Sequence, residues 1–567
     1  MKTTVRRRGD KAYTYLLLVE SVRVGGKMTH NTLLRLGEVS ELRDSGQLDR
    51  IIAALRGHAS KTWLPMDEAS AEGAAGFGAM AAVHAYFSRL DLEVFFSGFG
   101  ARRHAEHLAD TVFVMVANRL IRPWSKRRRM LSWLDRDVAL PDGVAAPSLP
   151  QRYLAMDALS EAKETLEPHL YDRLTDLTNL DLRLALYNVT STYFETTERS
   201  SDRFPSRAFG YSRDQRPDRP QVVIGLLVTG DGIPIAHHVF PGNTADVTTL
   251  SSVMADYQAR FGVRRIALVC DRGLIAEDNV AAVAEAGFDH ILATRLHNDD
   301  EVAAVLSRAK TDDLTWIELK DLHSKAAKVT VDGRRFVVVD SPQRKSPDDA
   351  RHEELMARTE EKLIALTSRV STGRLTDPAR ISAAADRILR ASGVGRCFTT
   401  TIREAFFSWD YDEEAYTYDT ELLAGHYVLS TSLSKERAPV GDIVRHYRVL
   451  QRVERRFRVM KDFLGLRPID HFTEERVRGH IALCVLGAVI EAVMGKDLEA
   501  AGVKDPDLEH QVISPRRALA ELDRIRLVTM DVNGRTIRVV TKRNALQAKI
   551  LTAFGVNTAG WDKADIT

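Results

Sequence analysis

The sequence predicts an α/β multidomain protein whose central mixed sheet, flanked by helices, is interrupted by an inserted segment. Three observations predict it. Between residues 183 and 295, three strand-like runs are followed by helix, strand, helix and strand, an order that suits a mixed sheet with helices packed on it. That alternation stops near residue 297, and the sheet pattern resumes at "HYVLSTSL" from His426. With 567 residues, the chain also exceeds what one hydrophobic core supports, so about three or four domains are expected.

Composition narrows the classes. Apolar residues make up 44% and charged residues 28%, as in an ordinary soluble globular protein. The net charge of +2 excludes a uniformly basic coat, so any nucleic-acid surface must be a local concentration of Lys and Arg. Cys270, Cys397 and Cys484 are far apart and form no Cys-x-x-Cys pair, which argues against a disulfide framework or a zinc site and suits a reducing cytosol. The first residues, "MKTTVRRRGDKAYTYLLLVES", lack the small-residue cleavage site of a secretory signal. The most apolar run, His480 to Met494, carries Glu491 and is too short to span a bilayer; it reads as a buried helix.

Taken in order, residues 1–62 read as a small β unit, with "YTYLLLVES", a turn at Gly25 to Lys27 and "THNTLLRLGEV". Residues 63–180 read as a helical DNA-binding region, helical from Ala69 to Leu134 and then punctuated by Pro147, Pro150 and Pro168. Within it Arg119, Arg122, Lys126, Arg127, Arg128 and Arg129 have no intervening acid, the footprint either of a phosphate-contacting surface or of a solvated helix face. Residues 181–296 hold the first part of the sheet. "RLALYNVTSTYFE" is rich in Tyr, Val and Thr, "GYSRDQRPDRP" is a loop, and "QVVIGLLVT" and "IPIAHHVF" form a hairpin around Gly230 to Gly232. After "PGNTADVTTL" a helix runs to Phe261; "RRIALVC" is a buried parallel strand ending at Asp271, a helix spans about Glu277 to Ala286, and "HILATRL" is the last strand. Residues 297–424 read as the insertion, with the helical run "DDARHEELMARTEEKLIALTSRV" and strand-like "RRFVVVD" and "EAYTYDTELL". Residues 425–500 resume the core. Residues 501–567 hold a helix starting at Ser514-Pro515 and a hairpin turning at Asn533-Gly534.

Candidate chemistry lies at three distant positions. Asp271 ends a buried strand, where open α/β sheets present ligands, although an aspartate there is also a common turn residue. Asn188 sits mid-strand, in line with Leu186 and Thr190. Glu454 is the lone acid among Arg455, Arg456, Arg458 and Lys461: either it pairs with Arg458 across one helical turn, or it holds a metal whose cationic neighbours face a polyanion. Val453, Phe457, Met460 and Leu464, at helical spacing, are the stripe expected to be buried. Asp181 is too far along the strand, about 23 Å, to replace Asn188. His237, His238, His471 and His480 have no ligand-like spacing and read as structural.

These segments together resemble the DDE transposases of bacterial insertion sequences, in the superfamily with a Tyr-Arg-Glu-Lys helix signature. The matching pieces are "LYNVTSTYFE", "GYSRDQRPDRPQVVIGLLVTGDGIPIAHHVFPGNTADVTTL", "LVCDRGL", "HYVLSTSL" and "YRVLQRVERRFRVMKDFLGLRPIDH". The resemblance implies an RNase H-like core split by an inserted domain. It implies that Asp271 and Glu454 are the second and third metal-binding acids, that Lys461 holds a phosphate, and that Tyr447 is the signature tyrosine. Leu450 stands where the signature arginine belongs, and Arg448 or Arg458 would take its phosphate contact; Arg455 and Arg456 would also face DNA. Two Mg2+ ions, with Mn2+ able to substitute, and double-stranded DNA, both terminal inverted repeats and target, are the implied cofactor and partner. A homodimer on DNA and a cytoplasmic, nucleoid-associated location are implied as well. The activity would be metal-dependent strand cleavage and strand transfer. Asn188, however, stands where the first aspartate belongs, and a neutral amide offers no charge to a metal pair, so impaired catalysis is expected. The alternatives are a catalytically inactive DNA-binding protein derived from a transposase and, third, a general nuclease on the same core.

Overall fold

The computed structural model describes the chain except residues 25–26, 57, 60–68, 100–106, 124–127, 179–183, 199–203, 262–266, 271–282, 286, 295–299, 312–313, 405, 509, 533–534, 564 and 567. It divides into two compact units. The smaller comprises residues 1–73, 528–539 and 563–567, the larger residues 74–527 and 540–562.

In the smaller unit the strands Lys2–Arg8, Lys11–Val24 and Lys27–Glu38 form an antiparallel sheet, with Val5 opposite Thr14 and Leu18 opposite Leu34. Gly9, at φ +63°, makes the first reversal, which a left-handed backbone position favours. A second, four-stranded sheet joins Ala69–Gly76, Arg526–Val532, Arg535–Val540 and Asp565–Ile566. Ala69–Gly76 is therefore a strand, not the start of a helical region: its small residues find a pairing partner more than 400 positions away, which local spacing does not reveal.

The larger unit is built on a nine-stranded sheet. Its strands are β1 Leu184–Tyr193, β2 Gln221–Thr229, β3 Pro234–Pro241, β4 Ala267–Cys270, β5 Asp289–Ala293, β6 Ile317–Leu319, β7 Ser324–Val331, β8 Arg334–Asp340 and β9 His426–Thr431. Spatially they run β6-β7-β8-β9-β5-β4-β1-β2-β3. β1 lies antiparallel to β2 and parallel to β4, and β4 is parallel to β5. The expected hairpin and buried parallel strand are thus in place. The insertion is not a separate body: β8 pairs antiparallel with β9, Val337 opposite Leu429, so residues 317–340 extend the core sheet. Between β8 and β9, the helices Pro342–Ser371 and Pro378–Ser392 and the hairpin of Phe398–Arg403 with Phe406–Tyr411 share their own hydrophobic cluster around Leu363, Ile381 and Phe407.

Three further expectations change. "EAYTYDTELL" is helical, because Asp412 caps the turn by accepting from Ala415 N at 2.9 Å and two acids stand in the first turn. Pro168 does not end its helix, which runs unbroken from Leu149 to Thr178. The apolar run near His480 belongs to a 27-residue helix, Glu474–Ala500, long enough to cross a membrane but packed inside the fold against Leu149–Thr178. The helix expected near Glu277 falls largely outside the described residues.

Candidate active site

Strand β1 sets the first side chain. Successive residues of a strand alternate faces, and Leu186 belongs to the core cluster on one face while Ala185, Tyr187 and Val189 belong to the cluster on the other. Asn188 shares the face of Leu186 and of its cross-strand partner Leu226. It is half-buried, and its Oδ1 accepts a hydrogen bond from Val189 N at 2.8 Å. In the parallel neighbour β4, Cys270 stands opposite Tyr187. Asp271, the next residue, lies outside the described residues.

The same face is covered by two helices, Val440–Val449 and Gln451–Arg458, that join at Leu450. Gln451–Arg458 packs on β1 and β2. Val453, Phe457, Met460 and Leu464 are buried, as their spacing predicts. The helix start is fixed to the β2–β3 turn: Arg452 donates to Gly230 O at 2.5 Å, and the position of Gly232 lies close against its side chain.

With that stripe inward, Glu454 faces out. It lines an open cleft of about 830 Å³ together with Arg445, Arg448, Arg452, Arg455 and Arg458. Arg445 is bonded to Asp321 at 2.9 Å and Asp442 at 3.1 Å, and Arg448 to Ser341 Oγ at 3.3 Å. Arg455 and Arg458 are exposed beside Glu454. Tyr447 is half-buried, its ring 5.7 Å from that of Tyr427.

Other expected site residues lie elsewhere. Lys461 is half-buried, its ammonium 2.8 Å from Asp214, and burial lowers its pKa more than the aspartate raises it. Arg456 does not face DNA: it points into the core, ion-paired with Glu491 of Glu474–Ala500. Arg119 is likewise no surface cation, since it is 6% exposed and donates to Leu464 O and Gly465 O, both at 3.2 Å. Arg122 is exposed, 3.6 Å from Asp523. Lys126 and Arg127 fall outside the described residues, and Arg128 and Arg129 open the helix Arg128–Ser132. Asp214, Arg445 and Arg452 carry no sequence signal that singles them out; Asp214 lies in a stretch legible only as a loop, because prolines announce a loop without saying which of its residues turns inward.

Residues 191–490 match the model of the transposase DDE domain, and residues 1–68 match the N-terminal domain of IS1634 family transposases. The chain belongs to the DDE transposases. The fold of this transposase overlaps slightly with the piggyBac transposase synaptic complex with hairpin DNA, at 10% identity and TM-score 0.34 over 78% of this chain and 79% of that one. A smaller overlap, 13% identity and TM-score 0.15 over 30% and 54%, is with the Mos1 transposase paired-end complex with left transposon end. No curated protein matches.

DDE transposase domains generally depend on a divalent metal. Among the described residues Asn188 offers a neutral amide, whose oxygen accepts the Val189 N–H, and Glu454 an exposed carboxylate. Another group of ligand-type side chains, His352, Cys397 and Asp419, lies between β8 and β9. There Asp419 is already ion-paired with Arg396 and accepts from the Cys397 thiol at 3.1 Å.

Proposed function

We propose that this chain binds the ends of an insertion sequence as a DNA transposase, and that Asn188 leaves its strand-cleaving site short of one acid. The observation that carries the reading is the arginine-walled cleft around Glu454, on a helix that packs over the sheet face bearing Asn188. Duplex DNA is the ligand such a cleft suits, because guanidinium groups bind phosphates bidentately and release condensed counterions as they do so. Arg455 and Arg458 are the cations available for it; Arg448, held by serine hydroxyls, is the nearest substitute for the signature arginine that Leu450 replaces.

Asp271 and Glu454 are the acids proposed to hold Mg2+, or Mn2+ in its place, with position 188 as the third ligand. A pair of such ions activates water and stabilises the leaving oxygen of a phosphodiester, and needs anionic oxygens to hold both charges. Asn188 brings none. The protein's own part is to hold the cut strand and the attacked target strand in line, which needs no covalent protein–DNA intermediate. Joining two ends calls for two copies of the chain, hence a homodimer on DNA. The inactive reading, a DNA-binding protein derived from a transposase, keeps the same cleft and is favoured by Asn188 itself.

The test is cleavage of labelled duplexes carrying the terminal inverted repeats, with Mg2+, by the natural chain and by Asn188→Asp. Asn188→Asp is expected to cut faster by orders of magnitude. A natural chain that cuts as fast as the variant refutes the assignment of position 188, and equal end binding with no cutting by either favours the inactive reading.

A further inference from the structure

The loop between β1 and β2 meets the end of the Glu454 helix at one buried carboxylate. The side chain of Asp214 is 3% exposed; its Oδ1 accepts from Lys461 Nζ at 2.8 Å and from the Arg467 guanidinium. Its Oδ2 is buried and has no hydrogen-bond partner among the described residues. The loop is built to deliver this group. Arg213 N donates to Ser191 Oγ of β1 at 3.0 Å, Arg216 N to Ser212 Oγ at 3.1 Å, and Gln215 turns the chain at φ +56°. The loop is thereby tied to β1 three residues beyond Asn188. Lys461, seven residues after Glu454, is itself 10% exposed. Arg467 reaches onward to Asp462 at 2.6 Å.

A buried ion pair of this kind is not what stability alone selects. Each ion loses hydration on burial, and an apolar pair of similar volume often packs as well or better. An oriented pair, however, holds two segments in one register. Lys461 is also not a free phosphate ligand here: a phosphate reaching its ammonium must share it with Asp214 or displace it.

We propose that Asp214 is a positioning residue of the strand-cleavage site: through Lys461 it fixes the helix bearing Glu454 against the strand bearing position 188. The proposal rests on the transposase reading above.

The experiment uses the full chain carrying Asn188→Asp, with Asp214→Asn and Asp214→Glu added separately. Melting temperature, end binding and Mg2+-dependent cleavage are measured for each. Asp214→Asn leaves the Lys461 ammonium without its counter-charge and is expected to melt below the parent; assayed well below that temperature, it is expected to bind ends comparably but to cleave about 10- to 100-fold more slowly, as a small misplacement of reacting groups would cause. Asp214→Glu, which keeps the charge, is expected to fall between the two, and it carries the test alone if Asp214→Asn fails to fold. Adding Lys461→Ala to Asp214→Asn should cost no more than the larger single loss, because both act through one contact. Parental cleavage by Asp214→Asn, or losses that multiply, overturn the proposal. If the Asn188→Asp parent does not cut, the functional reading fails by itself. The pair is then judged by mass-spectrometric labelling of lysines with an amine-reactive reagent: several-fold more labelling of Lys461 in Asp214→Asn supports it, and unchanged labelling overturns it.

Discussion

Arg455, Arg456 and Arg458 are close neighbours with two different fates. On a helix each residue turns about 100° from the last, so Arg456, three after Val453 and four before Met460, joins the buried stripe, while Arg455 and Arg458 flank Glu454 at the surface. The Arg456–Glu491 pair inside the core is of the kind whose halves are not separable, because removing one leaves the other charged and buried. Arg456→Ala is therefore expected to destabilise the fold by about 3–5 kcal/mol in denaturant melts, while Arg455→Ala leaves it near the natural value. Equal stability of the two variants would contradict the buried pair. Spacing alone is enough to separate these arginines; taking all four cations as one charged cluster hides the difference. Glu454 is legible as isolated, and the stripe beneath it is legible too. Asp214 is not, since its inward turn is set by a tertiary contact with Lys461.

Among the elements, β3 is joined to the helix Leu149–Thr178 by a polar contact as well as by packing. His237 Nδ1 lies 2.7 Å from Glu167 on that helix, and His238 Nε2 lies 3.2 Å from Asp256 on the helix Leu250–Phe261. Burial, with Lys163 nearby, pushes the His238 pKa down to about 4, and burial with Arg334 does the same to His290 on β5. Between the ordinary histidine value of about 6.5 and the folded value, the unfolded chain binds these protons and the folded chain does not, so stability must fall as pH falls. The melting temperature should drop steadily from pH 6.5 to pH 4, and replacing His238 and His290 with Asn should flatten part of that slope. A melting temperature constant over this range would contradict it. The elements themselves are legible where local pattern decides: the β2–β3 hairpin, β4, β8 and the cap at Ser514. They are not where a distant partner decides, as for Ala69–Gly76 and for the place of β7 and β8, which complete a sheet begun more than a hundred residues earlier.

At the scale of the whole molecule, the order β3-β2-β1-β4-β5 arises from three antiparallel strands and two parallel crossovers, and that much the alternation of patterns foretells. The order brings strand β1, strand β4 and, from far along the chain, the helix Gln451–Arg458 to one face. The central claim is that positions 188, 271 and 454, separated by up to 266 residues in the chain, share one metal site on that face. Fe2+ bound in place of Mg2+ cuts the backbone beside its own ligands when ascorbate and peroxide are supplied, so fragment mapping by mass spectrometry locates the ion without any DNA reaction. In the Asn188→Asp protein the account predicts cuts near 188, just after Cys270 and near 454, weaker in the natural chain and suppressed by excess Mg2+. Cuts confined to other segments, such as those around His352, Cys397 and Asp419, would contradict it.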